Sequence, residues 1–290
     1  MPIKTLLLDF DGTCTDVPAI HQRFLDASFE YLSQKGWLTN RDTWNNALAA
    51  VTERSPEAGW TLGRTPSAPA AADPYILAGE AALYISRLER RPLPADFDAY
   101  GFAYAKAVAP FRPELRAVLK KADELGVEIQ FISNSSTTKI AGRLMDLLAD
   151  DPALVARIGK RGGAEKYVIA ELPWDDAKIS PEVRRVFGAL PVATSRPSGL
   201  QRPIYLRRGS YMRQLAEAWE GDPSRAATTL VCGDIWELDL ALPAALGCAV
   251  HLVERGAPYD TYDYEREATK AVGGTISVDL NGLLARLEST

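Results

Sequence analysis

The feature that most constrains the fold is a repeated alternation of short apolar segments with amphipathic helical segments. Residues 3–8 end in three consecutive leucines, as expected for a strand covered on both faces. Residues 114–125 carry their apolar side chains on one helical stripe, Gly126 ends that helix, and residues 127–132 form the next apolar segment. Further strand patterns occupy residues 229–232, 248–253 and 275–278, and a C-terminal helix is predicted at 280–287. This order predicts an α/β fold with a mostly parallel sheet.

Residues 17–109 have a different pattern, because they show helical spacing but no convincing strand. Apolar side chains recur at helical spacing within residues 20–31, 44–51, 75–88 and 97–108. The segment holds 12 of the 25 aromatic residues of the chain. Two interpretations of this density stay open: the rings form the core of a small helical domain, or some of them line a pocket that faces the main domain. Both interpretations predict an all-helical insert in an α/β protein.

Composition excludes several classes of function. The net charge of −5 argues against nucleic-acid binding, because phosphate backbones attract proteins with a basic excess. No apolar run approaches the roughly 20 residues that a membrane-spanning helix needs, and the N-terminal segment lacks the features of a signal peptide. The three cysteines have no CxxC spacing, which is typical of reduced thiols and favours a cytoplasmic protein. With only two histidines, far apart in the sequence, any hydrolytic chemistry is expected to depend on carboxylates.

The most informative motif directly follows the first predicted strand. Asp9 and Asp11 are two residues apart, so in an extended segment their side chains point the same way. Two carboxylates so placed repel each other unless a hard cation such as Mg²⁺ binds between them. Gly12 permits the sharp turn that follows. The same DxD letters recur at residues 96–98, but no strand precedes them, and a helix N-cap is the better interpretation there.

Two further strands end in polar residues. Ser133 and Asn134 follow residues 127–132, where a hydroxyl beside free backbone N–H groups suits a phosphate oxygen. Capping of the helix that begins near Thr138 explains the same residues equally well. Asp234 and Asp239 follow the strand at residues 229–232, and Asp234 is placed to complete a carboxylate site with the Asp9 motif.

These three motifs, in this order, resemble those of the haloacid dehalogenase superfamily of aspartate-nucleophile hydrolases. The resemblance covers about two thirds of the chain. It implies a Rossmann-like catalytic core, residues 1–16 and 110–290, with a helical cap domain inserted at residues 17–109. Dehalogenating members lack an acid at the position of Asp11, so its presence favours phosphoryl transfer over carbon–halogen cleavage.

The resemblance also implies the role of each motif residue. Asp9 would be the nucleophile that forms an aspartyl-phosphate, and Asp11 the general acid and base. The phosphate-binding residues would be Ser133 and Asn134. Magnesium would be held by Asp9, the backbone carbonyl of Asp11, and Asp234. Gly12, Thr13 and Asp239 would support the site.

The family's basic residue, which neutralises the nucleophile and the phosphate, has no clear match in this sequence. Arg208 follows a short predicted strand 26 residues before Asp234 and is the favoured candidate, with Arg207 and then Lys178 as alternatives. A solvated basic turn is the non-catalytic interpretation of the two arginines. Residues 180–206 contain several prolines and are expected to be mostly irregular, with a short strand at 204–206.

The sequence thus predicts a magnesium-dependent phosphatase that acts on a small, soluble phosphomonoester, with no nucleic-acid or membrane partner. The alternatives are a phosphotransferase or phosphomutase with the same nucleophile, a 2-haloacid dehalogenase, and a catalytically silent binding module that keeps the fold.

Overall fold

The chain folds into two compact units. A computed structural model describes residues 2–62, 64–173, 176, 179–194 and 197–289. The first unit, called the α/β unit, comprises Met1–Thr15, Phe111–Arg255 and Thr261–Thr290. The second, called the helical unit, comprises Asp16–Pro110 and Gly256–Asp260. Each unit has a hydrophobic core of its own.

The α/β unit is built on a parallel sheet. Its strands are β1 (Thr5–Leu8), β2 (Glu128–Ile132), β3 (Gly159–Arg161), β6 (Thr229–Gly233), β7 (Ala249–Val253) and β8 (Thr275–Ser277), while β4 (Ala193–Thr194) and β5 (Ile204–Tyr205) form a separate antiparallel pair. The order across the six-stranded sheet is β3-β2-β1-β6-β7-β8, with all neighbours parallel. The prediction of an α/β fold with a parallel sheet is confirmed.

The central strand β1 shows why its sequence is so apolar. Leu7 packs into one hydrophobic cluster, whereas Leu6 and Leu8 pack into another. Since successive side chains of a strand point to opposite faces, both faces of the sheet are covered at this strand.

Twelve α-helices are present in the described residues. The helical unit contains α1 (His21–Gln34), α2 (Arg41–Arg54), α3 (Pro74–Leu88) and α4 (Ala99–Lys106). The α/β unit contains α5 (Leu115–Glu124), α6 (Thr137–Leu147), α7 (Pro152–Arg157), α8 (Pro181–Ala189), α9 (Gly209–Ala218), α10 (Ala241–Ala245), α11 (Asp263–Ala271) and α12 (Asn281–Glu288). Within the described part of the chain, no helix is long and apolar enough to span a membrane.

The helical unit has the helices that its spacing predicts. Asp98 precedes α4 and accepts a hydrogen bond from the backbone N–H of Gly101 at 2.9 Å. The second DxD sequence therefore supplies a helix cap, as predicted, and its other aspartate, Asp96, pairs with Lys35.

The prediction for residues 180–206 is right about a short strand, found as β5 (Ile204–Tyr205), but it misses a helix. Helix α8 begins at Pro181, and the Ser180 hydroxyl accepts from the backbone N–H of Val183 at 3.3 Å. Val183 and Phe187, four residues apart, insert into the core. The first two prolines of this segment flank a helix rather than prevent one, because proline fits the first helical turn.

Candidate active site

Three of the predicted site residues come from neighbouring strands at one edge of the sheet. Asp9 directly follows β1, Ser133 follows β2 and Asp234 follows β6. Strand β1 lies between the other two, and Leu8 pairs with Phe131 on one side and Cys232 on the other. All three polar residues are buried. Their common position is the carboxyl edge of the strands, where open α/β sheets bind ligands.

A buried lysine joins two of the carboxylates. Lys166 Nζ lies 2.8 Å from Asp9 Oδ1 and 2.9 Å from Asp239 Oδ1. Its side chain is 1% exposed, and Nζ also lies 5.2 Å from the centroid of the Tyr211 ring. Such a site holds a fixed positive charge directly beside the predicted nucleophile.

Charge in this cluster is unbalanced. Burial raises the pKa of Asp9 to about 7; Lys166 opposes this effect, and Asp239 adds to it. Burial lowers the pKa of Lys166, but the two carboxylates outweigh burial and hold it above its usual range. Two carboxylates therefore share one lysine. An additional cation would favour the ionised form of Asp9.

Lys166 is held through its backbone by two residues that the sequence had assigned to phosphate. Asn134 Oδ1 accepts from the Lys166 N–H at 2.8 Å. Arg208 Nη1 donates to the Lys166 carbonyl, and its Nε donates to the Tyr205 carbonyl at 3.0 Å. Arg208 is 0% exposed. Its guanidinium thus positions the segment that carries the lysine.

The sequence-based choice of basic residue needs correction at this point. The structure places Lys166, not Arg208, in contact with Asp9. Arg207 donates to the carbonyls of Gly188 and Leu190 and pairs with Glu171. Lys178, the remaining alternative, lies outside the described residues.

Gly12 and Thr13 bring the first motif against Asp234. Gly12 has a φ of +89°, and a Cβ built on it would lie 2.5 Å from Asp234 Oδ2. Glycine is therefore needed both for the backbone conformation and for the close approach. The Thr13 hydroxyl lies 2.9 Å from Asp234 Oδ1 and 3.3 Å from Asp9 Oδ2.

The carboxylates have the chemistry of a cation site. Asp9, Asp234 and Asp239 each offer an oxygen within 4.8 Å of the others. Asp239 is already engaged at both oxygens, with Lys166 at 2.9 Å and with the backbone N–H of Ile235 at 3.0 Å. Asp9 Oδ2 and Asp234 have only the Thr13 hydroxyl among the contacts described above, and carboxylate oxygens suit a hard divalent cation. The Asp11 side chain is not part of this carboxylate group.

Asp11 contacts the segment that follows β2. Its Oδ2 accepts from the Ser135 hydroxyl and lies 3.6 Å from Lys139 Nζ. Ser133 Oγ accepts from the Ser135 backbone N–H at 3.2 Å, so the serine predicted to bind phosphate belongs to the same turn. Burial lowers the pKa of Lys139 to about 8, although the Asp11 carboxylate opposes this shift.

Comparison with known proteins finds similarity at the level of structure alone. No family model and no curated protein matches the sequence. A predicted phosphoglycolate phosphatase from Haemophilus somnus 129PT has 14% identity over 98% of this chain and 97% of its own, with a TM-score of 0.51. A predicted phosphatase from Clostridium acetobutylicum has 12% identity over 100% of both chains and a TM-score of 0.48. An L-2-haloacid dehalogenase from Xanthobacter autotrophicus has 15% identity over 95% of this chain and 85% of its own, with a TM-score of 0.40.

The first of these similarities establishes a shared fold. Together with the six-stranded parallel sheet, it confirms the Rossmann-like α/β core that the resemblance to the haloacid dehalogenase superfamily implies. At 14% identity the similarity carries the fold and not the activity.

Proposed function

We propose that this chain is a magnesium-dependent phosphatase that hydrolyses a small phosphomonoester through an aspartyl-phosphate on Asp9. The observation that carries the proposal is the buried contact of Asp9 with Lys166 at 2.8 Å, at the sheet edge that also holds Ser133 and Asp234. A carboxylate nucleophile and a dianionic phosphate repel each other. A fixed, desolvated cation beside both reduces that repulsion where it is strongest.

Each step of the proposed reaction uses a residue of this site. An Asp9 carboxylate oxygen attacks phosphorus, the phosphorus–oxygen bond to the leaving group breaks, and Asp11 gives its proton to the leaving oxygen. Water then attacks phosphorus and gives a proton to Asp11, which releases inorganic phosphate and restores Asp9. Lys166 stays charged throughout and balances the charge that develops on the phosphoryl oxygens.

Phosphate binding is assigned to Ser133, whose buried hydroxyl precedes the first turn of α6. The Asn134 side chain is engaged with the backbone of Lys166, so its proposed role is to position that lysine. Magnesium, held by Asp9 and Asp234 with the Asp11 carbonyl as predicted, would neutralise phosphoryl oxygens when bound.

The identity of the residue two positions after the nucleophile supports a phosphatase over a dehalogenase. Protonating an alkoxide leaving group requires an acid, whereas a halide leaves without a proton. Asp11 supplies that acid, and its carboxylate is held by Ser135 and Lys139. The helical unit is proposed as the cap domain predicted at residues 17–109, and a small substrate is expected to suit a capped site.

A panel of phosphomonoesters and 2-haloacids, assayed with Mg²⁺ and with excess EDTA, tests the proposal. We expect release of inorganic phosphate from at least one small ester, and loss of that release in EDTA. Halide release without phosphate release would replace the proposal with a dehalogenase. Phosphate release that is unchanged in EDTA would remove magnesium from it.

A further inference from the structure

The two oxygens of the Asp11 carboxylate have different surroundings. Oδ2 accepts from the Ser135 hydroxyl and lies 3.6 Å from Lys139 Nζ, which itself lies 2.9 Å from Ser135 Oγ. Oδ1 is buried, and within the described part of the chain it has no hydrogen-bond partner. A buried carboxylate oxygen without a partner is costly unless a bound group uses it.

The two side chains that hold Oδ2 lie at the start of one helix, α6. Ser135 lies two residues before α6, and Lys139 lies in its first turn. The Ser136 side chain caps that turn by accepting from the Lys139 N–H at 3.3 Å. The side chains of Lys139 and Asp11 are only 17% and 15% exposed. A contact so shielded restricts the rotation of the Asp11 carboxylate more than a surface ion pair would.

We propose that Lys139, together with Ser135, is a positioning residue that fixes the Asp11 carboxylate by Oδ2 and leaves Oδ1 to exchange the proton with the leaving group. This inference rests on the proposed phosphatase function. In the first step the proton moves from Oδ1 to the leaving oxygen as the phosphorus–oxygen bond breaks. In the second step the attacking water returns a proton to Oδ1. Lys139 itself donates no proton and touches no reacting atom.

A positioning role predicts a selective loss of activity. A misplacement of about 1 Å can reduce a rate by roughly 10²-fold. Only substrates that need protonation of the leaving group depend on where Asp11 points. Lys139→Met and Ser135→Ala should therefore lower kcat/KM for an alkyl phosphate by roughly 10²-fold. Hydrolysis of p-nitrophenyl phosphate, whose leaving group needs little protonation, should fall by only a few fold.

A matched set of variants separates positioning from other roles. Lys139→Arg keeps the charge and should retain most activity, and Lys120→Met, at a 41% exposed lysine on α5 of the same unit, should change nothing. In an Asp11→Asn background, Lys139→Met should cause no further loss, because the group it positions is gone. Inhibition by inorganic phosphate should be unchanged in every Lys139 variant.

Several results would contradict the positioning role of Lys139. Equal losses on both esters, with weaker inhibition by inorganic phosphate, would show that Lys139 binds phosphate directly and would overturn the inference. Additive losses in the double variant, or losses that follow a lowered Tm, would overturn it as well. If the wild-type chain hydrolyses no ester of the panel, the proposed function fails and takes the inference with it. If the wild type is active and Asp11→Asn is slow, but Lys139→Met is normal on the alkyl phosphate, only the inference fails.

Discussion

The two units of this chain bury different kinds of side chain. Among the described residues of the helical unit, Glu80 is the one charged residue that is buried, and its carboxylate accepts from the Thr61 N–H at 2.6 Å. The ion pairs of that unit, such as Lys35–Asp96, are on the surface. The α/β unit instead buries a set of charged residues, namely Asp9, Lys166, Arg208, Asp234, Glu237, Asp239, Arg255 and Glu265.

This difference indicates that the two units are stabilised in different ways. Buried charge costs free energy that a structural core avoids, and the helical unit is packed mainly with aromatic and aliphatic side chains. In the α/β unit the buried charges concentrate around the loop that carries Asp234. Arg255 donates to the Asp234 carbonyl and pairs with Glu265, while Arg202 pairs with Glu237. Substitutions of the charged residues beside Asp9 should therefore lower the reaction rate, whereas substitutions in the core of the helical unit should lower the free energy of unfolding.

The largest effect is expected at the proposed nucleophile. Asp9→Asn should lower kcat for phosphate-ester hydrolysis by several orders of magnitude, because the amide cannot form the acyl-phosphate. The Tm should hold, since burial disfavours the ionised carboxylate and Lys166 keeps Asp239 as its partner. Steady-state kinetics measures kcat, and thermal unfolding of the same sample measures the Tm. Asp96→Asn, in a surface pair of the helical unit, is the control and should leave both unchanged. Undiminished turnover in Asp9→Asn would remove it from the mechanism.

The second prediction concerns the buried lysine. Lys166→Met keeps the length of the side chain and removes its charge, so kcat/KM should fall by roughly 10²–10³-fold, the scale of one positioned electrostatic donor. Lys35→Met removes a lysine from a surface pair of the helical unit and should change kcat/KM little. Equal kinetics of these two variants would contradict the distinction between the units.

Arg208 provides a related test, because its guanidinium donates to backbone carbonyls. Arg208→Met should destabilise the chain, since it removes a buried group that holds the carbonyls of Lys166 and Tyr205. Denaturant unfolding should show that loss. A fall in kcat/KM with normal stability would instead favour the direct phosphate contact that the sequence suggested.

The sequence predicts three residues of the candidate site and misses the lysine for a physical reason. Asp9, Ser133 and Asp234 each follow an apolar strand, so a local pattern is enough to place them on one sheet edge. Lys166 follows β3, a three-residue strand of Gly159, Lys160 and Arg161 at the end of the sheet, which has no apolar run. Arg208, next to a short predicted strand, looks equally suitable in sequence. Only the tertiary fold shows that its guanidinium is directed to backbone carbonyls.

The next prediction compares the two histidines of the chain, one in each unit. His251 on β7 is 1% exposed and contacts Thr275 and Ser277, and burial lowers its pKa to about 4. His21 of the helical unit is more exposed, lies 2.7 Å from the Tyr259 hydroxyl and has its pKa lowered by burial as well.

The sign of the pH effect follows from the lowered pKa of His251. Above pH about 6.5 the histidine is neutral in both folded and unfolded chains. As the pH falls from about 6.5 to 4, the unfolded chain takes up the proton first, so His251 should remove roughly 3 kcal/mol of stability over this window. Urea unfolding at pH 7 and pH 4.5 should show a smaller loss in His251→Asn than in wild type. An identical loss in wild type and His251→Asn would show that His251 is not the source. His21→Asn, at the more exposed histidine, should reduce the loss less than His251→Asn does.

The smallest expected effect addresses the open question of why the helical unit is so rich in aromatic residues. Phe24 is fully buried, and its ring lies 4.7 Å from that of Tyr75 at an interplanar angle of 80°. Phe24→Leu removes this edge-to-face contact and leaves a small cavity, so it should lower the free energy of unfolding by about 1–2 kcal/mol.

Phe187→Leu makes the same change in the α/β unit, at a buried ring in the sheet's core, and should have a similar cost. If the rings of the helical unit serve only its own core, Phe24→Leu should leave kcat/KM unchanged on every ester, as should Phe187→Leu. A loss of kcat/KM in Phe24→Leu that depends on the ester, with the Tm close to that of Phe187→Leu, would show that the aromatic cluster also selects the substrate. The aromatic residues of the helical unit would then contribute to substrate selection as well as to the core of that unit.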